Sequence, residues 1–170
     1  INPPGNEYLV KDIVVKSMEE LGMKVKIVGD KKRPNILGEI GKGHPSIAIL
    51  CHMDVVPPGR DWKTDPFNPE IKKSRLYGRG ACDNKGPYAA SWAAVKAVLR
   101  KGNLKGKIIL GAVADEERGS KEGIKLLLDE KKFRLAELGS KCDFVKEIKS
   151  AGNSNYQLKF SIHTHIRGKD

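Results

Sequence analysis

The stretch Ile47-Ala48-Ile49-Leu50-Cys51-His52-Met53-Asp54 decides the fold class of this chain. Its four leading apolar residues predict a buried, central strand that carries polar groups at its carboxyl end. Because side chains alternate between the faces of a strand, His52 and Asp54 should point the same way. An imidazole and a carboxylate on one face suit a metal ligand and the group that orients it. A solvated strand end is the alternative interpretation.

Helix and strand patterns alternate on both sides of this stretch. Apolar positions recur at helical spacing from Val10 to Leu21 and again from Tyr88 to Leu99, where the aromatics are expected in the core. Strand patterns cover residues 23–27, 35–40 and 107–114. The alternation predicts an α/β sandwich with polar groups gathered at the carboxyl ends of its strands.

Composition narrows the class of protein. The 170 residues fit one domain with a sizeable core. Lys and Arg number 32 against 21 Asp and Glu, a net charge of +11. The lysines are scattered without a nucleic-acid motif, so we expect a solvated basic surface and no nucleic-acid partner. No apolar run is long enough to cross a bilayer, so no membrane partner is expected.

The cysteines favour a reducing compartment, and hence a cytoplasmic location. Cys51, Cys82 and Cys142 are odd in number and widely spaced, which argues against a disulfide scaffold. Buried free thiols are the default interpretation, and a one-metal site using Cys51 or Cys82 is the weaker alternative. The chain starts at Ile1 rather than Met, which leaves a removed leader or a trimmed amino terminus open.

Two later segments carry acids. Asp83 lies in the glycine-rich stretch 78–86, and Asp115-Glu116-Glu117 follow the last predicted strand. Successive acids at a strand end repel one another, so a nearby cation would help to keep them ionised. Alternatively, they are solvated with Arg118 as their partner. If one sheet edge gathers them with His52, the mixed donors suit zinc, manganese or cobalt.

Taken in order, these motifs closely resemble those of a dinuclear metallopeptidase family. Its members include succinyl-diaminopimelate desuccinylase, acetylornithine deacetylase, aminoacylase and the glutamate-releasing carboxypeptidases. The resemblance implies a three-layer α/β/α catalytic domain with a mixed, mostly parallel sheet over residues 1–150. It also implies the first strand of a truncated lid or dimerisation domain over 151–170. The matching segments are residues 2–5, 52–57, 62–67, 76–86 and 115–119.

The resemblance implies a role for each polar residue. His52 would bind one metal and Asp54 would orient it. Asp83 would bridge two metals, Glu116 would be the general base, and Glu117 would bind the second metal. Two divalent ions are therefore implied, zinc first, with cobalt or manganese as alternatives.

The carboxyl-terminal part departs from the family pattern. Glu147 resembles the segment of a later acidic ligand, but the spacing is short and the flanking glycine and proline are missing, so a surface glutamate is the alternative. The family's lid histidine is expected just past Asp170, whereas His163 and His165 lie earlier. The family's last metal-ligating histidine has no counterpart here. The sequence is thus interpreted as the N-terminal portion of a longer enzyme, or one with segments missing.

These inferences predict a metal-dependent hydrolase of amide bonds in N-acyl amino acids or small peptides, a deacylase or a carboxypeptidase/dipeptidase. The resemblance implies a homodimer at full length. It also implies weak or absent activity for this chain alone. The alternative is a non-catalytic binding module on the same fold, whose basic surface binds an acidic partner.

Overall fold

A computed structural model gives the structure of this chain and describes residues 1–129. Its three α-helices are α1 (Tyr8–Glu19), α2 (Lys85–Arg100) and α3 (Leu126–Asp129). The six strands are β1 (Lys24–Gly29), β2 (Pro34–Lys42), β3 (Ser46–His52), β4 (Glu70–Lys72), β5 (Arg75–Tyr77) and β6 (Gly106–Val113). The predicted helices and strands are present within one to three residues of the expected ends, whereas the short strands β4 and β5 were not predicted.

Four strands form one mixed sheet in the order β1-β2-β6-β3, and β4 pairs with β5 in the separate hairpin. β2 is antiparallel to both β1 and β6, whereas β3 is parallel to β6. The predicted α/β fold with a mixed sheet is confirmed. Within residues 1–129, however, antiparallel pairs predominate over the expected parallel ones. The short turn after β1 forces its neighbour to run antiparallel, and the helical crossover through α2 makes β3 and β6 parallel.

β3 lies at an edge of the described sheet, because β6 occupies the position between β2 and β3. Ile47 at its start is consequently 46% exposed. The prediction of a buried, central strand is therefore wrong for this end of β3 in residues 1–129. The side chains of β3 are buried only near its carboxyl end, at Cys51 and His52.

Apolar side chains pack on both faces of the sheet. On one face, Met18 of α1 and Val95 of α2 pack in a core with Leu110 of β6. On the other face, Leu127 of α3 packs with Val113. The sheet thus lies between two helical layers, as predicted. Tyr88, Trp92 and Leu99 of α2 pack against the first core, as their spacing indicated.

None of the helices in residues 1–129 is long and apolar enough to span a membrane. The predicted first strand of a second domain, which contains His163 and His165, lies outside the described residues. Cys142 and Glu147 lie outside them as well.

Candidate metal centre

The carboxyl ends of β3 and β6 lie side by side. His52, the last residue of β3, is in register with Val113, the last residue of β6, and Met53 N donates to Val113 O at 2.8 Å. A 3₁₀ turn, Glu116–Arg118, follows β6. The parallel pairing therefore brings His52 next to Glu116 and Glu117, called the acid pair below.

Three potential metal donors converge at this point. His52 Nε2 lies 2.9 Å from Asp83 Oδ1, and together with Glu117 they form a group whose donor atoms all lie within 4.8 Å of one another. His52 is buried, whereas the Asp83 side chain is 70% exposed, so the group is reachable from solvent. One imidazole and two carboxylates form a donor set that zinc, manganese and cobalt accept. These residues therefore fit a divalent ion.

Asp54 holds the opposite edge of the His52 ring. Its backbone oxygen lies 2.9 Å from His52 Nδ1, and its carboxylate Oδ1 lies 3.5 Å from the same nitrogen. A proton on Nδ1 would leave the Nε2 lone pair facing the donor group. Burial lowers the pKa of His52, but hydrogen bonds to Asp54 and Asp83 outweigh it and raise that pKa to about 9.

The Asp54 carboxylate also accepts three N–H groups. Asn2 Nδ2 donates at 2.7 Å, and the backbone nitrogens of Glu116 and Glu117 donate at 3.2 and 3.1 Å. Burial raises the pKa of Asp54, but hydrogen bonds from His52, Asn2 and the two amides lower it to about 2. Asp54 is thus an ionised, buried anchor that ties the end of β3 to the turn after β6.

The members of the acid pair differ in their surroundings. Glu117 is half-buried, and its pKa is raised by burial and by repulsion from neighbouring carboxylates, against the attraction of His52. A cation at the donor group would offset that repulsion and favour the ionised form of Glu117. Glu116 lies outside the three-donor group, with its side chain 52% exposed and Oε2 3.7 Å from His52 Nε2. Its carboxylate is accessible to a proton donor from solvent.

Asp115 has a different partner from the one considered in the sequence. It is 4% exposed, and its Oδ1 lies 2.9 Å from Arg33 Nη1 rather than pairing with Arg118. Sequence reasoning missed this arginine, because a basic residue beside Lys31 and Lys32 is indistinguishable from a solvated lysine-rich turn.

Two cationic side chains contact the segment that follows β3. Lys85 Nζ, at the start of α2, donates to Met53 O at 2.8 Å, and burial lowers the pKa of this ammonium. The Arg79 guanidinium lies 5.2 Å from the centre of the Trp62 ring. Phe67, which lies with Trp62 in the segment 53–69 between β3 and β4, is 52% exposed, so this side chain lies on the surface.

Comparison with known proteins decides the family. The sequence model described as Peptidase family M20/M25/M40 matches residues 48–167. The chain belongs to this family. A succinyl-diaminopimelate desuccinylase of Gluconobacter oxydans (strain 621H) is 44% identical to this M20 chain over 115 residues, which make up 68% of the chain. The match covers 29% of that relative, so the M20 chain spans less than a third of its length.

Two solved structures share the fold of this chain. Human carnosine dipeptidase 1 superposes with a TM-score of 0.64 at 30% identity, over 76% of this chain and 30% of its own. The M20 family metallo-carboxypeptidase Sso-CP2 from Sulfolobus solfataricus superposes with a TM-score of 0.58 at 34% identity, over 64% of this chain and 26% of its own. The family resemblance inferred from the motifs is confirmed.

Proposed function

We propose that the full polypeptide carrying this sequence is a metal-dependent hydrolase of amide bonds in N-acyl amino acids or small peptides. The observation that carries this proposal is the approach of His52, Asp83 and Glu117 donor atoms to within 4.8 Å of one another, beside a third acid, Glu116, outside the group. The related M20 proteins are named as a desuccinylase, a dipeptidase and a carboxypeptidase, and all three names denote cleavage of an amide or peptide bond.

His52, Asp83 and Glu117 would hold a divalent ion, with zinc as our first choice and cobalt or manganese as alternatives. A bound divalent ion supplies positive charge that acidifies water and polarises a carbonyl group. We propose two such ions, for both of which Asp83 would be a ligand. The additional donors would come from outside residues 1–129, and Glu147 is a candidate.

In this proposal Glu116 is the general base. Its exposed carboxylate accepts a proton from the attacking water at an Oε atom and returns it to the leaving amine nitrogen. Asp54 keeps the His52 ring in one orientation and fixes the backbone of the acid pair, so that base and donors keep their relative positions.

The assembly and location belong to the same proposal. Residues 1–150 would form the catalytic part and 151–170 the start of a lid or dimerisation domain, in a cytoplasmic homodimer. The free thiols of Cys51 and Cys82 agree with a reducing compartment.

Glu116→Gln in the full polypeptide tests the proposal. We expect kcat on N-acyl amino acids and dipeptides to fall by about 10²- to 10⁴-fold, while bound metal measured by elemental analysis is unchanged. Glu19→Gln, which alters an exposed acid of α1, is the matched control and should retain full activity. Retained hydrolysis in Glu116→Gln would refute the assigned base. Wild-type protein that binds no divalent ion would refute the proposed function.

A further inference from the structure

Arg33, in the turn between β1 and β2, joins two buried carboxylates. Its Nη2 and Nε donate to Glu7 Oε1 and Oε2 at 2.8 and 3.1 Å, and its Nη1 lies 2.9 Å from Asp115 Oδ1. The side chains of Glu7 and Asp115 are 2% and 6% exposed. One planar guanidinium thus pairs two anions at fixed angles, which an ammonium group cannot reproduce.

Asp115 folds the turn that carries the acid pair. Its backbone is left-handed, with φ +63°, a conformation that a residue with a Cβ atom rarely adopts. Its backbone oxygen accepts Ser120 N at 2.6 Å, its Oδ2 accepts Glu122 N at 3.1 Å, and its own N–H donates to Glu7 Oε1 at 3.3 Å. These three bonds fix the position of Asp115, and the Arg33 guanidinium contacts the same carboxylate.

Asn2 links the ion pairs of Arg33, Glu7 and Asp115 to the candidate metal centre. Its Nδ2 donates to Asp54 Oδ2 at 2.7 Å and to Asp115 Oδ1 at 3.2 Å. Asp54 in turn accepts the backbone N–H groups of the acid pair. A continuous series of polar contacts therefore runs from Arg33 through Asp115 and Asn2 to the carboxylate that orients His52.

We propose that Arg33 is a positioning residue of this M20 site. By pairing with Asp115 and Glu7, it holds the turn after β6 in the conformation that directs the acid pair toward His52 and Asp83. Arg33 lies before residues 48–167, the part matched by the family. The catalytic consequence rests on the proposed function, whereas the consequence for the turn does not.

Gly5 offers a variant that displaces Arg33 without changing its charge. Gly5 has φ +80°, and a Cβ atom there would collide with the Arg33 guanidinium. Gly22 has a similar φ of +71°, but nothing lies within 4 Å of the Cβ built there. Gly22→Ala therefore introduces the backbone strain alone. Comparing Gly5→Ala with Gly22→Ala isolates the displacement of the guanidinium.

Amide hydrogen exchange in the metal-free full polypeptide measures the turn directly. We expect Arg33→Met and Gly5→Ala to accelerate exchange at Glu117 N–H by about tenfold more than at Leu110 N–H in β6. Arg33→Lys should give a smaller selective effect, and Gly22→Ala none. Equal acceleration at both amides in Arg33→Met and Gly5→Ala, or no acceleration, would overturn the proposal. If Arg33→Met does not fold, Gly5→Ala and Arg33→Lys decide the question by the same comparison.

Kinetics of the metal-loaded enzyme test the catalytic consequence. Arg33→Met should lower kcat by about tenfold and leave KM within about twofold. Misdirected acids would stabilise the transition state less, whereas substrate binding would change little. Arg33→Lys should recover part of the loss. An unchanged kcat in metal-loaded Arg33→Met would contradict a positioning role. If the wild-type enzyme hydrolysed no amide, the proposed function would fail, and the exchange comparison would still decide whether Arg33 holds the turn.

Discussion

Glu117 N donates to Asp54 Oδ2 across 3.1 Å, a contact between residues 63 apart in the sequence that joins the segments following β3 and β6. The Asp54 carboxylate therefore serves both halves of the candidate site. It faces the His52 ring on one side and the backbone of the acid pair on the other. A single substitution at this residue should disturb the donor group without touching a donor.

Asp54→Asn is the first prediction. The amide replaces one acceptor oxygen with a donor, so one N–H that Asp54 accepts now would lose its partner. We expect metal affinity to fall by about 10- to 100-fold, measured by competition with a chromophoric chelator. Asp12→Asn, which alters an exposed acid of α1, is the control and should bind metal normally. Unaltered affinity in Asp54→Asn would show that its carboxylate does not orient the imidazole.

The second prediction concerns acid stability of the metal-free protein. The pKa of Asp54 in the folded chain, about 2, lies below the ordinary value of 3.8. Its ionised form therefore stabilises the fold above pH 3.8, and this contribution is lost as the pH falls through 2. Urea unfolding at pH 5 and pH 2 measures this contribution. Between these pH values, the free energy of unfolding should decrease by roughly 1–2 kcal/mol less in Asp54→Asn than in the wild type. An identical decrease in both proteins would contradict the lowered pKa.

Asn35→Ala should destabilise the fold strongly. Asn35 is fully buried in β2, where its Oδ1 accepts Ala114 N at 2.9 Å and its Nδ2 donates to Glu122 O at 2.7 Å. Removing the amide leaves both backbone groups without that partner, at a cost of about 2–4 kcal/mol in the free energy of unfolding. Urea denaturation measures the change. Asn68→Ala, at an exposed position, is the control, and a similar small effect in both variants would refute the role assigned to Asn35.

Metal should stabilise the folded chain. A ligand that binds the native state alone adds about 2.7 kcal/mol at a concentration of 100 Kd, so zinc should raise Tm and EDTA should reverse the increase. In Glu117→Gln the increase should shrink, because one carboxylate of the donor group is lost. Thermal unfolding with and without zinc measures the effect. Glu19→Gln should respond as the wild type does, and an equal response of Glu117→Gln would remove that residue from the donor set.

The sequence predicted what depends on local pattern. The apolar run before His52 indicated a strand with polar groups at its carboxyl end, and the motif around Asp83 indicated a nearby acid. It did not reveal that β6 lies between β2 and β3, because strand order depends on pairing between distant segments. Nor did it reveal Arg33, because a buried ion pair between residues 33 and 115 leaves no periodic signal.

The burial of Asn2 has a practical consequence for producing this protein. Asn2 is 2% exposed, and its side chain donates a hydrogen bond to the Asp54 carboxylate. A preparation that has lost Asn2 would therefore lack one of the hydrogen-bond donors to Asp54. Proteolysis in a cell extract could cause this loss, so the intact mass of each preparation should be verified before assay.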